Sequence, residues 1–134
     1  MIDDIVLNKS DIIKKCIQRV YEEYADNPNN LNIITRQDSI ILNIQRACEA
    51  AIDLGMHVIA EKGLGIPQWT RDAFDILYDQ GIIDNDISER LKAMVGFRNI
   101  AIHNYQKLNI KIIQSIIEKH LKDLVDFTEI IQNL

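Results

Sequence analysis

Arg98, Asn99, His103 and Tyr105 fall within one eight-residue segment, Arg98-Asn99-Ile100-Ala101-Ile102-His103-Asn104-Tyr105. Arginine is a permanent cation whose planar fork of donors suits phosphate. Histidine has the unperturbed side-chain pKa nearest neutrality, so it can take or give a proton there. Together they form a minimal kit for breaking a phosphodiester without a metal. Arg98 would hold the scissile phosphate and stabilise the added charge of a five-coordinate transition state. His103 would act as general base on a ribose 2′-hydroxyl, or as general acid on the leaving 5′-oxygen. Attack by a neighbouring 2′-hydroxyl restricts the substrate to RNA, because DNA lacks that group. Asn99 would orient the imidazole or donate to phosphate. Tyr105 would stack on a base or donate a hydrogen bond. The bland alternative is a surface arginine and a histidine on a helix, neither with a part in chemistry.

Helical geometry constrains this kit. At 100° per residue, Asn99 and His103 share a face, whereas Arg98 and His103 lie about 140° apart. A straight helix does not aim both at one phosphate within one chain. Either the helix distorts near His103, or a second copy of the chain completes the site across a two-fold axis.

The elements that must position the segment read as five helices and no strand. Ile5, Ile12, Ile13, Cys16, Ile17, Val20, Tyr21 and Tyr24 recur at three- and four-residue steps, which predicts a helix from Asp4 to Tyr24. Asp26-Asn27-Pro28-Asn29-Asn30 breaks it. A long second helix is expected from an N-cap at Thr35 to about Lys62, followed by the breaker Gly63-Leu64-Gly65-Ile66-Pro67. A short third helix follows Trp69, capped by Thr70 and stopped at Gly81. The fourth starts after Asp84-Asn85-Asp86 and runs into the arginine–histidine segment. The fifth starts near Asn109 and carries a core stripe to Ile131. Short connections favour an antiparallel helical bundle. Trp69 and Phe97 are expected in the core or an interface.

A chain of 134 residues is one domain, 1-134. No apolar run reaches the length of a membrane span, and Met1-Ile2-Asp3-Asp4 does not resemble a secretory signal, so the cytoplasm is the expected compartment. Cys16 and Cys48 are expected as buried reduced thiols. Neither has a second Cys or His at ligand spacing, so no metal and no cofactor is expected. The net charge of −5 speaks against a polyanion partner, but its distribution does not. From Arg90 to Lys111 there are five cations (Arg90, Lys92, Arg98, Lys107 and Lys111) and no carboxylate. Arg90, Lys92, Lys107 and Lys111 are therefore candidates for RNA contacts.

The segment also resembles the Arg-x4-His-x-Tyr motif of the HepT-like toxins, members of the HEPN superfamily. Gly96-Phe97-Arg98-Asn99 resembles the phrase that leads into that motif. Gln45-Arg46-Ala47-Cys48-Glu49-Ala50-Ala51-Ile52-Asp53 resembles the central helix. Ile66-Pro67 with Ala73-Phe74 resembles the middle segment, and Leu91-Lys92-Ala93-Met94 the start of the fourth helix. The likeness covers most of the chain in the expected order. It implies an all-α HEPN-like bundle that dimerises around the motif helix. It implies a metal-independent ribonuclease, the toxin of a toxin–antitoxin pair, with Arg98 and His103 catalytic. It further implies an MntA-like nucleotidyltransferase antitoxin that transfers AMP to Tyr105. The runner-up is a non-catalytic HEPN-type module that binds a nucleotidyltransferase or a nucleotide. A plain dimeric helical scaffold without a site is the third reading.

Overall fold

The computed structural model describes residues 3–103 and 108–134. Helix α1 (Asp4–Tyr24) starts at Asp3, whose carboxylate accepts the Val6 N–H at 2.9 Å, and ends with Ala25 in the left-handed region. A 3₁₀ turn (Pro28–Asn32) leads into α2 (Ile34–Lys62), which is 29 residues long, about 43 Å. Asp3 meets His57, Lys9 meets Asp53, and the Glu23 carbonyl accepts from Arg36, so the two helices run antiparallel. α3 (Asp72–Asp79) and α4 (Asn85–His103) follow. α5 (Ile110–Ser115), a π turn (Ile116–His120) and α6 (Leu121–Gln132) succeed one another without a break as a C-terminal rod. Taking the rod as one unit, the described residues form the expected five-helix, strand-free bundle.

α2 is the spine, touching α1, α3, α4 and α6. Its buried stripe includes Ile40, Ile44, Ala47, Cys48, Ala51, Leu54 and Val58. Gly55 lets the neighbouring layer come close: a Cβ there would lie 3.5 Å from Leu77 and 3.7 Å from Phe74 and Phe127. Those two phenyl rings meet edge to face at 5.7 Å, a geometry that aromatic quadrupoles favour. Cys16 and Cys48 are buried free thiols.

Local details depart from the sequence expectations. Thr35 does not cap α2, which begins one residue earlier after Ile33, with no side-chain cap. The 3₁₀ turn runs almost directly into it, and the Gln37 side chain fastens the junction by donating to the Leu31 carbonyl at 3.0 Å. Thr70 does not cap α3 through its side chain. Asp72 instead reaches back to accept the Trp69 N–H at 2.9 Å. Trp69 is not a core residue, being 75% exposed, whereas Phe97 is buried. The short loop ahead of α3 leaves the indole in solvent.

Candidate functional site

α4 carries the motif. It starts where Asp84 accepts the Ile87 N–H at 2.8 Å, a side-chain cap that satisfies an otherwise unpaired donor. Leu91, Met94, Val95, Phe97 and Ala101 bury its inner face and fix its rotation. That rotation leaves Arg98 and Asn99 half-buried and Ile100, Ile102 and His103 exposed. The open arc near the C-terminal end of α4 thus runs from Arg98 at one edge, past Ile102 and Asn99, to His103 and Ile100.

Arg98 faces α2. It lines a pocket of about 350 Å³ with Glu49, Ile52, Asp53, Met56 and Thr70. Its Nε is buried and has no hydrogen-bond partner. Among the described residues Arg98 forms no ion pair, although two carboxylates share its pocket. Buried donors are nearly always satisfied, so an orphan of this kind needs an explanation. Beneath it sits Cys48, whose burial pushes the thiol up to about 12 against the opposing pull of the Arg98 charge.

α4 is regular α-helix through His103, so nothing up to that residue distorts to bring His103 round to Arg98. The two stay about 140° apart in one chain. No hydrogen bond joins Asn99 to His103. Tyr105 and Lys107 lie outside the described residues.

The proposed RNA-contacting cations divide. Arg90 pairs with Asp86 at 3.0 Å and with the fully buried Asp123 at 3.1 Å. Lys92 pairs with Asp75 at 2.8 Å and Glu89 at 2.9 Å, and hydrogen bonding to Asp75 and then Glu89 raises its pKa. Two of the five window charges are therefore neutralised by acids that lie elsewhere in the sequence. Lys111 is exposed in the first turn of α5, beside the capping residue Asn109.

Sequence reasoning missed two features. One is an apolar groove of about 530 Å³ between α4 and the rod, lined by Met94, Phe97, Ile100, Leu108, Ile112 and Ile116. The exposed Ile100 and Ile112 belong to it, and isoleucine at solvent-facing helical positions was the available signal. The other is the acidic wall opposite Arg98. Glu49 and Asp53 stand one helical turn apart on α2, a spacing that was legible, but their register against Arg98 was not.

Known proteins resemble this chain in both sequence and fold. The model of one protein family, ribonuclease HepT-like, matches residues 9–131. The chain is 44% identical over 130 residues to the mRNA nuclease HepT of Shewanella oneidensis, covering 97% of this chain and 98% of that protein. Its fold superimposes on a tri-AMPylated HEPN toxin of Shewanella oneidensis in complex with an MNT antitoxin, with a TM-score of 0.95 and 43% identity over 99% of this chain and all of the other. It superimposes equally on a toxin–antitoxin solved with AMP-PNP, with a TM-score of 0.94 and 42% identity over 98% of this chain and all of the other.

Proposed function

The chain belongs to the ribonuclease HepT-like family, and on that premise we propose that it is the ribonuclease toxin of a toxin–antitoxin pair. The observation that carries the reading is near full-length likeness, at 44% identity, to an mRNA nuclease, in a chain that keeps Arg98 and His103 at the open end of α4. Arg98 is poised for an anion: its Nε is buried without a partner and it forms no ion pair among the described residues, and a charge-assisted bond to phosphate is strongest where water is excluded.

In this reading the substrate is RNA. His103 takes the proton of the ribose 2′-hydroxyl as its oxygen bonds to phosphorus and the bond to the 5′-oxygen breaks. Arg98 stabilises the charge on the non-bridging oxygens. The 5′-oxygen leaves with a proton supplied by a second histidine. The products end in a 2′,3′-cyclic phosphate and a 5′-hydroxyl. Because 140° separates Arg98 from His103 on a regular helix, a second copy of the chain completes the cleft and contributes its own His103. The exposed Ile100 and Ile102 flank His103 and give that copy an apolar surface to cover. Lys111 is the candidate among the described cations left free to meet phosphate. Arg90 and Lys92 are weaker candidates because their charges are already paired, and Lys107, which lies outside the described residues, remains a candidate.

The partner in this reading is an MntA-like nucleotidyltransferase antitoxin. It transfers AMP from ATP to the Tyr105 phenol: an oxygen–phosphorus bond forms and pyrophosphate leaves. Bulk and negative charge added two residues from His103 oppose RNA binding. A Tyr105→Phe variant is expected to receive no AMP from the antitoxin, and an undiminished mass shift on that variant would move the acceptor elsewhere. A pair acting on RNA and ATP is expected to work in the cytoplasm.

The test is growth after inducing the wild type or His103→Ala without a partner, with sequencing of RNA ends. Arrest by the wild type alone, with cyclic-phosphate ends, is the expected result. Equal arrest by a folded His103→Ala variant overturns the catalytic assignment. Arrest by neither favours the non-catalytic binding module.

A further inference from the structure

The Arg98 pocket holds more than a phosphate needs. Its opposite wall is Glu49 and Asp53, which repel phosphate. These acids are not simply a counter-charge for Arg98. Asp53 is engaged by Lys9 at 3.1 Å. Glu49 accepts one long bond from Gln45 at 3.4 Å and forms no ion pair among the described residues. Arg98 makes no ion pair with either. A ligand that satisfies the whole pocket presents an anion towards Arg98 and N–H donors towards Glu49. A nucleotide does both, through its phosphate and its base edge. Among the bases, guanine offers two adjacent donors, N1–H and N2–H, to one carboxylate. Cytosine and adenine each offer a single exocyclic amine on that edge.

The rim supports the same occupant. Thr70 lines the pocket, and its chain neighbour Trp69 is three-quarters exposed, held in place by the Asp72 carboxylate at its N–H. Asp72 fixes the backbone and leaves the ring free, so an exposed indole one residue from a base-sized pocket can swing over its mouth and stack on a base. A volume of about 350 Å³ accommodates one nucleobase and leaves room for water.

We propose that the pocket between α2 and α4 is a base-selecting subsite, in which Glu49 reads the edge of a guanine next to the phosphate on Arg98 and Trp69 stacks on a base at its mouth. This rests on the ribonuclease reading above. Glu49 and Trp69 are specificity and binding residues here, not catalysts.

Trp69 is the sole tryptophan, so its fluorescence reports on the site directly. Full-length His103→Ala protein is titrated with short single-stranded oligoribonucleotides that differ at one base, binding being followed independently by anisotropy. Cleavage junctions are sequenced in parallel for the wild type and Glu49→Gln. The guanine-bearing strand is expected to quench Trp69 and to bind more tightly than its adenine, cytosine or uracil counterparts. Guanine should dominate at the wild-type junction, and Glu49→Gln should lower that preference by about five- to a hundredfold. Strands that bind by anisotropy without quenching Trp69, or a base preference unchanged in Glu49→Gln, overturn the subsite while leaving the ribonuclease reading intact. Quenching by a nucleotidyltransferase but by no RNA overturns it in favour of protein docking. A wild type that cuts no RNA takes down both.

Discussion

Arg90 and Arg98 sit on the same helix, eight residues apart, in the same carboxylate-free stretch of sequence, and the fold treats them in opposite ways. Arg90 is held between Asp86 and the buried Asp123, with His120 on the second oxygen of Asp123 at 3.4 Å. Its charge is used to make burial of that carboxylate tolerable. Arg98 has two carboxylates in its pocket and pairs with neither, and its Nε is desolvated without a partner. Arg90 is defined by what it already touches, and Arg98, in the proposed reading, by what it still lacks.

The sharpest way to break that contrast is to remove each charge in turn. Arg98→Ala and His103→Ala are each expected to lower RNA cleavage by about a hundredfold or more while the melting temperature stays close to wild type. Comparable cleavage by a folded Arg98→Ala protein would erase the distinction. Arg90→Met should do the reverse. It leaves the buried Asp123 short of its main partner and lowers the melting temperature by on the order of 5 °C, and cleavage per folded molecule is retained. A melting temperature that does not move would show that solvent already compensates Arg90, whose side chain is 40% exposed.

A gentler prediction concerns an acid rather than an arginine. The Val6 N–H, and then the hydrogen bond to His57, hold the Asp3 carboxyl below its usual range. A depressed folded-state pKa contributes stability above the unfolded value of 3.8, and that contribution is lost as pH falls through the folded value. The stability gap between wild type and Asp3→Asn should therefore be small, present at pH 7, and shrink below about pH 4. Melting curves in which the gap stays constant down to pH 2 would remove the carboxylate from the account.

The helices were legible because their apolar residues recur at three and four. α1, α4 and the start of the rod at Asn109 follow the sequence closely for that reason. The π turn was not legible, since Ile113, Ile117, Leu121 and Leu124 keep ordinary α spacing across it. The caps at Thr35 and Thr70 failed because a hydroxyl before a helix is only an opportunity: a 3₁₀ turn took the first, and Asp72 supplied the side-chain hydrogen bond at the second. The charged window misled in part because charge was summed along the chain. Asp75 and Asp123 neutralise Lys92 and Arg90 from helices that only the fold brings near. Within the described part of the motif, the residue types and their angular offset were readable. The acidic wall at Glu49 and the exposure of Trp69 depend on packing between helices and were not.

The π turn of Ile116–His120 also bears on how the rod could change length. A turn with i→i+5 bonding holds about one residue more than an α turn. Ile116 and Ile117 are both buried within it, and Glu118 meets the Tyr24 hydroxyl, whose pKa burial and that contact raise to about 12. The rod thus stores a spare residue at a single place. Deleting one residue there would let the segment relax into plain α-helix, with Ile113 on one side and Leu121 on the other still facing the core. Deleting one residue in the regular turns of α6 would instead swing everything beyond it by about 100° and expose Phe127 and Ile131. Insertions and deletions in such a chain should collect at the turn and be purged from the helix that follows.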